Sequence, residues 1–198
     1  MIKNIVFDMG NVLMSYDPKE MLKHYTNETS ELKLLLNEIF QSVEWLQFDR
    51  GIIDKDTLKL IVSERVPDSL KQISFEILDN WYQYVFPIEQ MGDVIDSLKE
   101  KKFNLYILSN VSSDFHLFKN RIPSINKFDG IFLSSDWKLL KPEKEIYQTF
   151  YSYFKLNPAE CFFIDDMPAN IESAKLSGME GYIFKKDFEQ LMNVLNSI

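Results

Sequence analysis

A chain of 198 residues with 45% hydrophobic and 14% aromatic content can build one good core, or a core plus a small inserted module, which excludes a disordered protein. Its 22 basic and 30 acidic residues leave a net charge of -8, which disfavours nonspecific binding to nucleic acid or anionic membranes, since both need clustered Lys and Arg. The single cysteine, Cys161, rules out an intramolecular disulfide and argues against a cysteine-based zinc site; inside the apolar run CFFI it reads as a buried, inert thiol.

The first apolar run, IKNIVFDM (2–9), has strand character and delivers Asp8 into a turn marked by Gly10 and Asn11. This opening is too short and too acidic for a signal peptide, and no apolar run approaches the ~20 residues of a membrane span, so a soluble, cytoplasmic protein is expected. From Asp17 to about Phe86 no strand pattern appears. MLKHY, SELKLLLNEIF, DKDTLKLIVSERV and DSLKQISFEILDNWYQYVF carry apolar residues at helical spacing, with Ser30, Asp54 and Asp68 placed as N-caps.

Strand patterns return at FNLYILSN (103–110), GIFLSSD (130–136), CFFIDD (161–166) and GYIFKK (181–186). Several are nearly continuous Val, Ile, Leu and Phe, as parallel strands covered on both faces require. Helical patterns separate the later ones. In KPEKEIYQTFYSYF, Pro142 suits a first-turn position and Ile146, Phe150 and Phe154 repeat every four residues; farther on, Pro168 opens a helix that Gly178 closes. The expected fold is a doubly wound α/β parallel sheet formed by residues 1–16 and 87–198, with an α-helical cap, residues 17–86, inserted after the first strand.

Two of these strands end in carboxylates, Asp8 and the pair Asp165 and Asp166, and a third ends in Ser109 and Asn110. Ligands of an open α/β sheet sit beyond the carboxyl ends of its strands. If the strands are neighbours, Asp8 and Asp166 share one crevice, and crowded carboxylates are costly unless a cation sits between them. Mg²⁺ suits such a site because it takes hard oxygen ligands and leaves room for substrate phosphate. Lys141, just before its helix, has no favourable dipole there and gains a purpose if it faces a phosphate.

The four ordered motifs VFDMGNVL, LYILSN, LLKPEKEIY and FFIDDMPANIESAKLSGM resemble those of the haloacid dehalogenase-like hydrolase superfamily, the branch with a helical cap. Sugar phosphatases and the phosphatase domain of epoxide hydrolases look similar. The resemblance implies a Mg²⁺-dependent phosphatase of a small phosphorylated metabolite, such as a sugar phosphate. Asp8 would be the nucleophile that forms an aspartyl-phosphate, and would also bind metal with the Gly10 carbonyl and Asp166. Asp165 would be a ligand through water or an anchor behind the site. Ser109, with Asn110 beside it, would bind a phosphoryl oxygen, and Lys141 would neutralise charge between Asp8 and the phosphate. Asn170 would orient the acidic pair, or simply belong to its helix.

Gly10 departs from the pattern, because most such phosphatases carry an aspartate there that serves as general acid and base. A glycine keeps the backbone carbonyl and loses the proton shuttle, which is typically worth ~10² to 10⁴ in rate. Substrates with good leaving groups, such as sugar 1-phosphates or acyl phosphates, are expected to suffer least. Asp17 could supply a proton, or cap the helix that starts at Pro18. Two other readings stand beside the phosphatase. One is a catalytically silent binding or regulatory protein on the same fold, favoured by Gly10. The other is a dehalogenase, against which the acidic pair argues. His24 and His116 lack a partner nucleophile and suit surface roles. Trp45, Phe48 and Arg50 are cap residues that either line the crevice or pack within the cap. Oligomeric state is not legible.

Overall fold

In the computed structural model, which describes residues 1–198, the five apolar runs become strands β1 (Asn4–Phe7), β2 (Asn104–Ser109), β3 (Gly130–Leu133), β4 (Cys161–Asp165) and β5 (Glu180–Ile183). They form one all-parallel sheet in the order β3-β2-β1-β4-β5. β1 lies at the centre, where the chain turns from one side of the sheet to the other, and this is where a crevice opens in such a sheet. Register fixes what faces that crevice. Phe7 is level with Ile107 and Ile164, and the Asp8 amide donates to the Ile164 carbonyl at 2.8 Å. Asp8 and Asp165 therefore leave adjacent strands at the same height.

Alternation along the strands explains their near-continuous hydrophobicity. Ile5, Phe7, Leu105, Ile107 and Ile164 face one apolar cluster, while Val6, Tyr106, Leu108 and Phe163 face another. Before β2 the chain forms α1 (Pro18–Leu22), α2 (Thr29–Leu35), α3 (Val43–Asp49), α4 (Lys55–Arg65), α5 (Asp68–Asn80) and α6 (Gln90–Glu100). The short α7 (Phe115–Phe118) follows β2 and α8 (Ser134–Trp137) follows β3. Next come α9 (Lys144–Phe154), α10 (Pro168–Leu176) and α11 (Phe188–Asn196). Helices α9 and α10 cover the Val6 face; α6 and α11 cover the Ile5 face. None of the helices is long and apolar enough to cross a membrane.

The insertion α1–α5 is not detached from the sheet. Its Leu35, Trp45, Val62, Ile77 and Trp81 belong to the same apolar cluster as Phe7 and Ile107. Its entry and exit segments pair side by side: the Ser15 amide donates to Phe86 at 2.7 Å, the Ile88 amide to Leu13 at 2.9 Å, and Met14 bridges Pro87.

Local signals mislead at four places. The run 130–136 is strand only to Leu133, because the Ser134 hydroxyl bonds the Asp49 carbonyl at 2.6 Å and accepts the Val111 amide at 2.8 Å, drawing the backbone into α8. Pro142 lies outside the first turn of α9, which begins at Lys144 after Glu143; the Glu143 side chain instead accepts the Leu140 amide and closes a turn. Ser30 is not an N-cap. α2 starts at Thr29, and Thr26 Oγ1 organises the approach by accepting the Glu28 amide and bonding Glu31. Asp68 is the first residue of α5, after Pro67, and pairs with Lys71 at 2.7 Å rather than capping. Asp54 caps α4 through the Thr57 amide at 2.8 Å. Asp17 caps α1 through the Lys19 and Glu20 amides, so one of its carboxylate oxygens is engaged at the helix.

Candidate active site

Lys141 organises the residues at the centre of the sheet. Its Nζ lies 2.7 Å from Asp8 Oδ1 and 2.7 Å from Asp165 Oδ2, and all three residues are buried. The loop that carries it is fixed by Asn110, which accepts the Lys141 amide at 2.8 Å and donates to the Lys141 carbonyl at 2.9 Å. Burial alone would lower the lysine's pKa, but the charges of Asp8 and Asp165 outweigh it and hold the pKa above its ordinary value. Asp8 is pulled both ways. Burial pushes its carboxyl up to about 7, against the attraction of Lys141 and with help from the nearby Asp165.

The two members of the acidic pair differ. Asp165 is fully enclosed and its acceptor positions are occupied. It receives Lys141, the Asn170 side chain at 3.0 Å on each oxygen, and the Met167 amide at 2.8 Å. Asp166 is half-buried and accepts only a long 3.3 Å bond from Asn11. Burial and the charge of Asp165 raise its pKa. One oxygen from each of Asp8, Asp165 and Asp166 lies within 4.8 Å of the others. One lysine cannot neutralise three carboxylates, so the donor set fits a hard divalent cation, with Asp166 and the second oxygen of Asp8 the least committed donors.

Gly10 borders the same cavity. A Cβ there would meet nothing closer than Asp8 Oδ2 and Tyr16 Cβ, each at 4.0 Å. The glycine is therefore not forced by crowding, and it leaves open space where a side chain could stand.

Above these groups lies a cavity of about 310 Å³. Asp8, Gly10, Asn110, Lys141, Asp166 and Asn170 all border it, whereas Ser109, buried at the end of β2, does not. Of the insertion residues singled out in the sequence, Trp45 lines the cavity. Phe48 packs behind it, and Arg50 pairs with Glu143. His24 stacks on Tyr84 with ring centres 4.3 Å apart, and neither His24 nor His116 borders the cavity.

Sequence reasoning missed Asn11 and Asp49. Asn11 has φ 54°, in the left-handed region that Asn tolerates. Its side chain ties the turn after Asp8 to Asp166 and accepts the Tyr16 amide at 3.2 Å. Its place in the turn marked by Gly10 was the available signal. Asp49, at the end of α3, borders the cavity and accepts the Ser112 amide at 3.1 Å. No cation faces it; the nearby Asp114 is itself paired with Lys55 at 2.9 Å. Burial pushes the Asp49 carboxyl up to about 7, opposed by the Ser112 amide and supported by the charge of Asp114.

The family model of haloacid dehalogenase-like hydrolases matches residues 5–183. The chain is 28% identical to the sesquiterpene phosphatase astK of Aspergillus oryzae, over 90% of this chain and 88% of that protein. It is 24% identical to the D-ribitol-5-phosphate phosphatase of Bacteroides thetaiotaomicron, over 92% of this chain and 91% of that protein. Among solved structures, a HAD-family enzyme of B. thetaiotaomicron in complex with magnesium and inorganic phosphate superposes with a TM-score of 0.70 at 25% identity, over 94% of this chain and 96% of that one.

Proposed function

The chain belongs to the haloacid dehalogenase-like hydrolase family, and from that premise we propose that it is a Mg²⁺-dependent phosphatase that hydrolyses the monoester of a small phosphorylated metabolite through an aspartyl-phosphate on Asp8. The observation that carries this reading is the convergence of Asp8, Lys141 and Asp166 on one cavity. The similarity to phosphatases, and to an enzyme solved with magnesium and phosphate, supports it.

In this mechanism one Asp8 oxygen attacks phosphorus in line, the bond from phosphorus to the ester oxygen breaks, and that oxygen leaves with the bonding pair and takes its proton from water, since Gly10 offers no acid. Water then attacks the aspartyl-phosphate, releasing inorganic phosphate and restoring the carboxylate. Lys141 stays protonated and offsets the charge that gathers on the phosphoryl oxygens. Asp165 and Asn170 act behind it: the first holds the ammonium beside Asp8 and the second holds the first. Asn110, which borders the cavity, positions the Lys141 backbone, whereas Ser109, buried off the cavity, is left without a contact to the phosphate. Asp8, Asp166 and the Gly10 carbonyl would hold Mg²⁺, with Asp165 anchoring the set from behind. The ion supplies positive charge that lets an anionic substrate approach an anionic nucleophile. Residues 17–86 serve as the cap that closes over the phosphate and excludes water.

Gly10 favours a second reading, a silent binding protein on this fold. Assay of an aryl phosphate and acetyl phosphate with and without Mg²⁺, beside an Asp8→Asn variant, separates the two. Metal-dependent phosphate release that the variant lacks is the expected result. Release from neither compound selects the binding protein, and turnover indifferent to chelator would turn attention to the dehalogenase.

A further inference from the structure

The organic half of the substrate has its own chamber, and the walls of that chamber are not those of a sugar site. Charged and amide groups gather at the floor, around Asp8, Lys141 and Asp166. The walls are Phe40, Trp45, Leu46, Trp81, Val85 and Phe118. Their rings are locked edge to face. Trp45 stands 5.4 Å from Trp81 at 79°, and Trp81 stands 5.8 Å from Phe118 at 71°. The one polar atom of Trp81 is already used, since its Nε1 donates to buried Asp114 at 2.8 Å. What these walls present to a ligand is mostly carbon.

From this lining we propose that the substrate is the monophosphate ester of an apolar alcohol or phenol, rather than of a sugar or polyol. The inference rests on the phosphatase reading above and narrows it. A polyol needs a donor or acceptor for each hydroxyl it buries, and a site that recognises one supplies them convergently. Here the walls offer only the Asp49 carboxyl, the Tyr16 hydroxyl and the Trp45 indole N–H, which faces those same two groups, and one Asp49 oxygen already accepts the Ser112 amide. Lys141 is the only cation bordering the cavity, and it is held between two carboxylates. A second phosphate or a carboxylate on the ligand would therefore find no counter-charge within this cavity. The size also sets a limit. About 310 Å³ lies at the low end of ligand cavities, and at ~30 Å³ for each water-sized group it takes roughly ten such groups in all, enough for a phosphate and a ring-sized apolar group.

The expected catalytic signature follows from Gly10. With no acid at that position, phenolic esters, whose oxygen leaves readily, turn over faster than alkyl esters of the same bulk.

The test compares kcat/KM for 3-phenylpropyl phosphate, phenyl phosphate, ribitol 5-phosphate and glucose 1-phosphate, with acetyl phosphate as a substrate that has no organic group to recognise. At least about 100-fold preference for the two apolar esters over the two polyol esters is expected. Hydrolysis of acetyl phosphate together with equal or better use of a polyol ester would overturn the substrate class and leave the phosphatase standing. Inactivity on all five, acetyl phosphate included, would overturn the phosphatase. A binding arm decides the cavity's preference even then. 3-Phenylpropyl phosphonate should perturb the fluorescence of Trp45 and Trp81 at concentrations where ribitol 5-phosphate does not, and the opposite order sinks the proposal. Leu46, half exposed at the rim, allows a variant with little risk to folding. Leu46→Gln should raise KM for 3-phenylpropyl phosphate about ten-fold more than for acetyl phosphate, and equal effects on both would count against an apolar subsite.

Discussion

At the scale of single residues, two positions define what this site can do. Gly10 leaves the cavity floor without a proton shuttle, although the space for one exists. Gly10→Asp should therefore raise kcat on alkyl esters, by up to ~100-fold, with little gain on acetyl phosphate, whose leaving group needs no proton. Equal gains on both would mean that something other than acid catalysis had changed. Asp49 is a half-buried carboxyl without a counter-cation. Folded, it keeps its proton up to about 7, while in the unfolded chain it ionises near 3.8. Between those values the folded state binds the extra proton, so this group's contribution to stability falls as pH rises from about 4 to 7. Asp49→Asn should unfold at higher denaturant than the parent at pH 8 and show no such advantage at pH 4. The difference is up to about 4 kcal/mol. A parent and variant that run parallel across that range would show that the carboxyl is solvated.

At the scale of elements, the footing of the insertion on the sheet depends on close backbone approach. Gly51 follows α3 with φ 72°, and a Cβ there would sit 2.5 Å from the Ser135 carbonyl oxygen. Gly51→Ala should cost about 1–3 kcal/mol, seen as a lower denaturant midpoint with an unchanged slope. Strands and their acidic ends were readable because both are local signals. A run such as CFFIDD needs no partner to announce a buried strand that ends in carboxylates, and Asp54 announces α4 in the same way. The misplaced boundaries at Ser30, Asp68, Pro142 and Ser134 are one to a few residues wide, and each arises from a side chain that found a different partner. Asp49 could not be read at all. Its character comes from Ser112, Asp114 and the aromatic walls, residues brought to it only by the fold. Asp165 and Asp166 look alike in sequence, and only the bonds from Lys141 and Asn170 tell the anchor from the free donor.

At the scale of the molecule, a shared core joins the insertion to the sheet, so the chain should unfold in one transition rather than two. Mg²⁺ should shift that transition. An ion present at 100 times its dissociation constant stabilises by about 2.7 kcal/mol, which corresponds to roughly 5–10 °C in a chain of this size. Chelator should reverse the shift and Asp166→Asn should abolish it. A melting temperature indifferent to Mg²⁺ in the parent would argue that the three carboxylates hold no ion. The paired segments at Ser15 and Phe86 carry one more consequence. Because they already run side by side, a tight turn could splice them and delete everything between. The shortened protein would have an open bench where the chamber stood, with Val111 and Phe118 bared to water and nothing to grip a small molecule. Whatever such a truncation still dephosphorylated would be chosen by the phosphate alone.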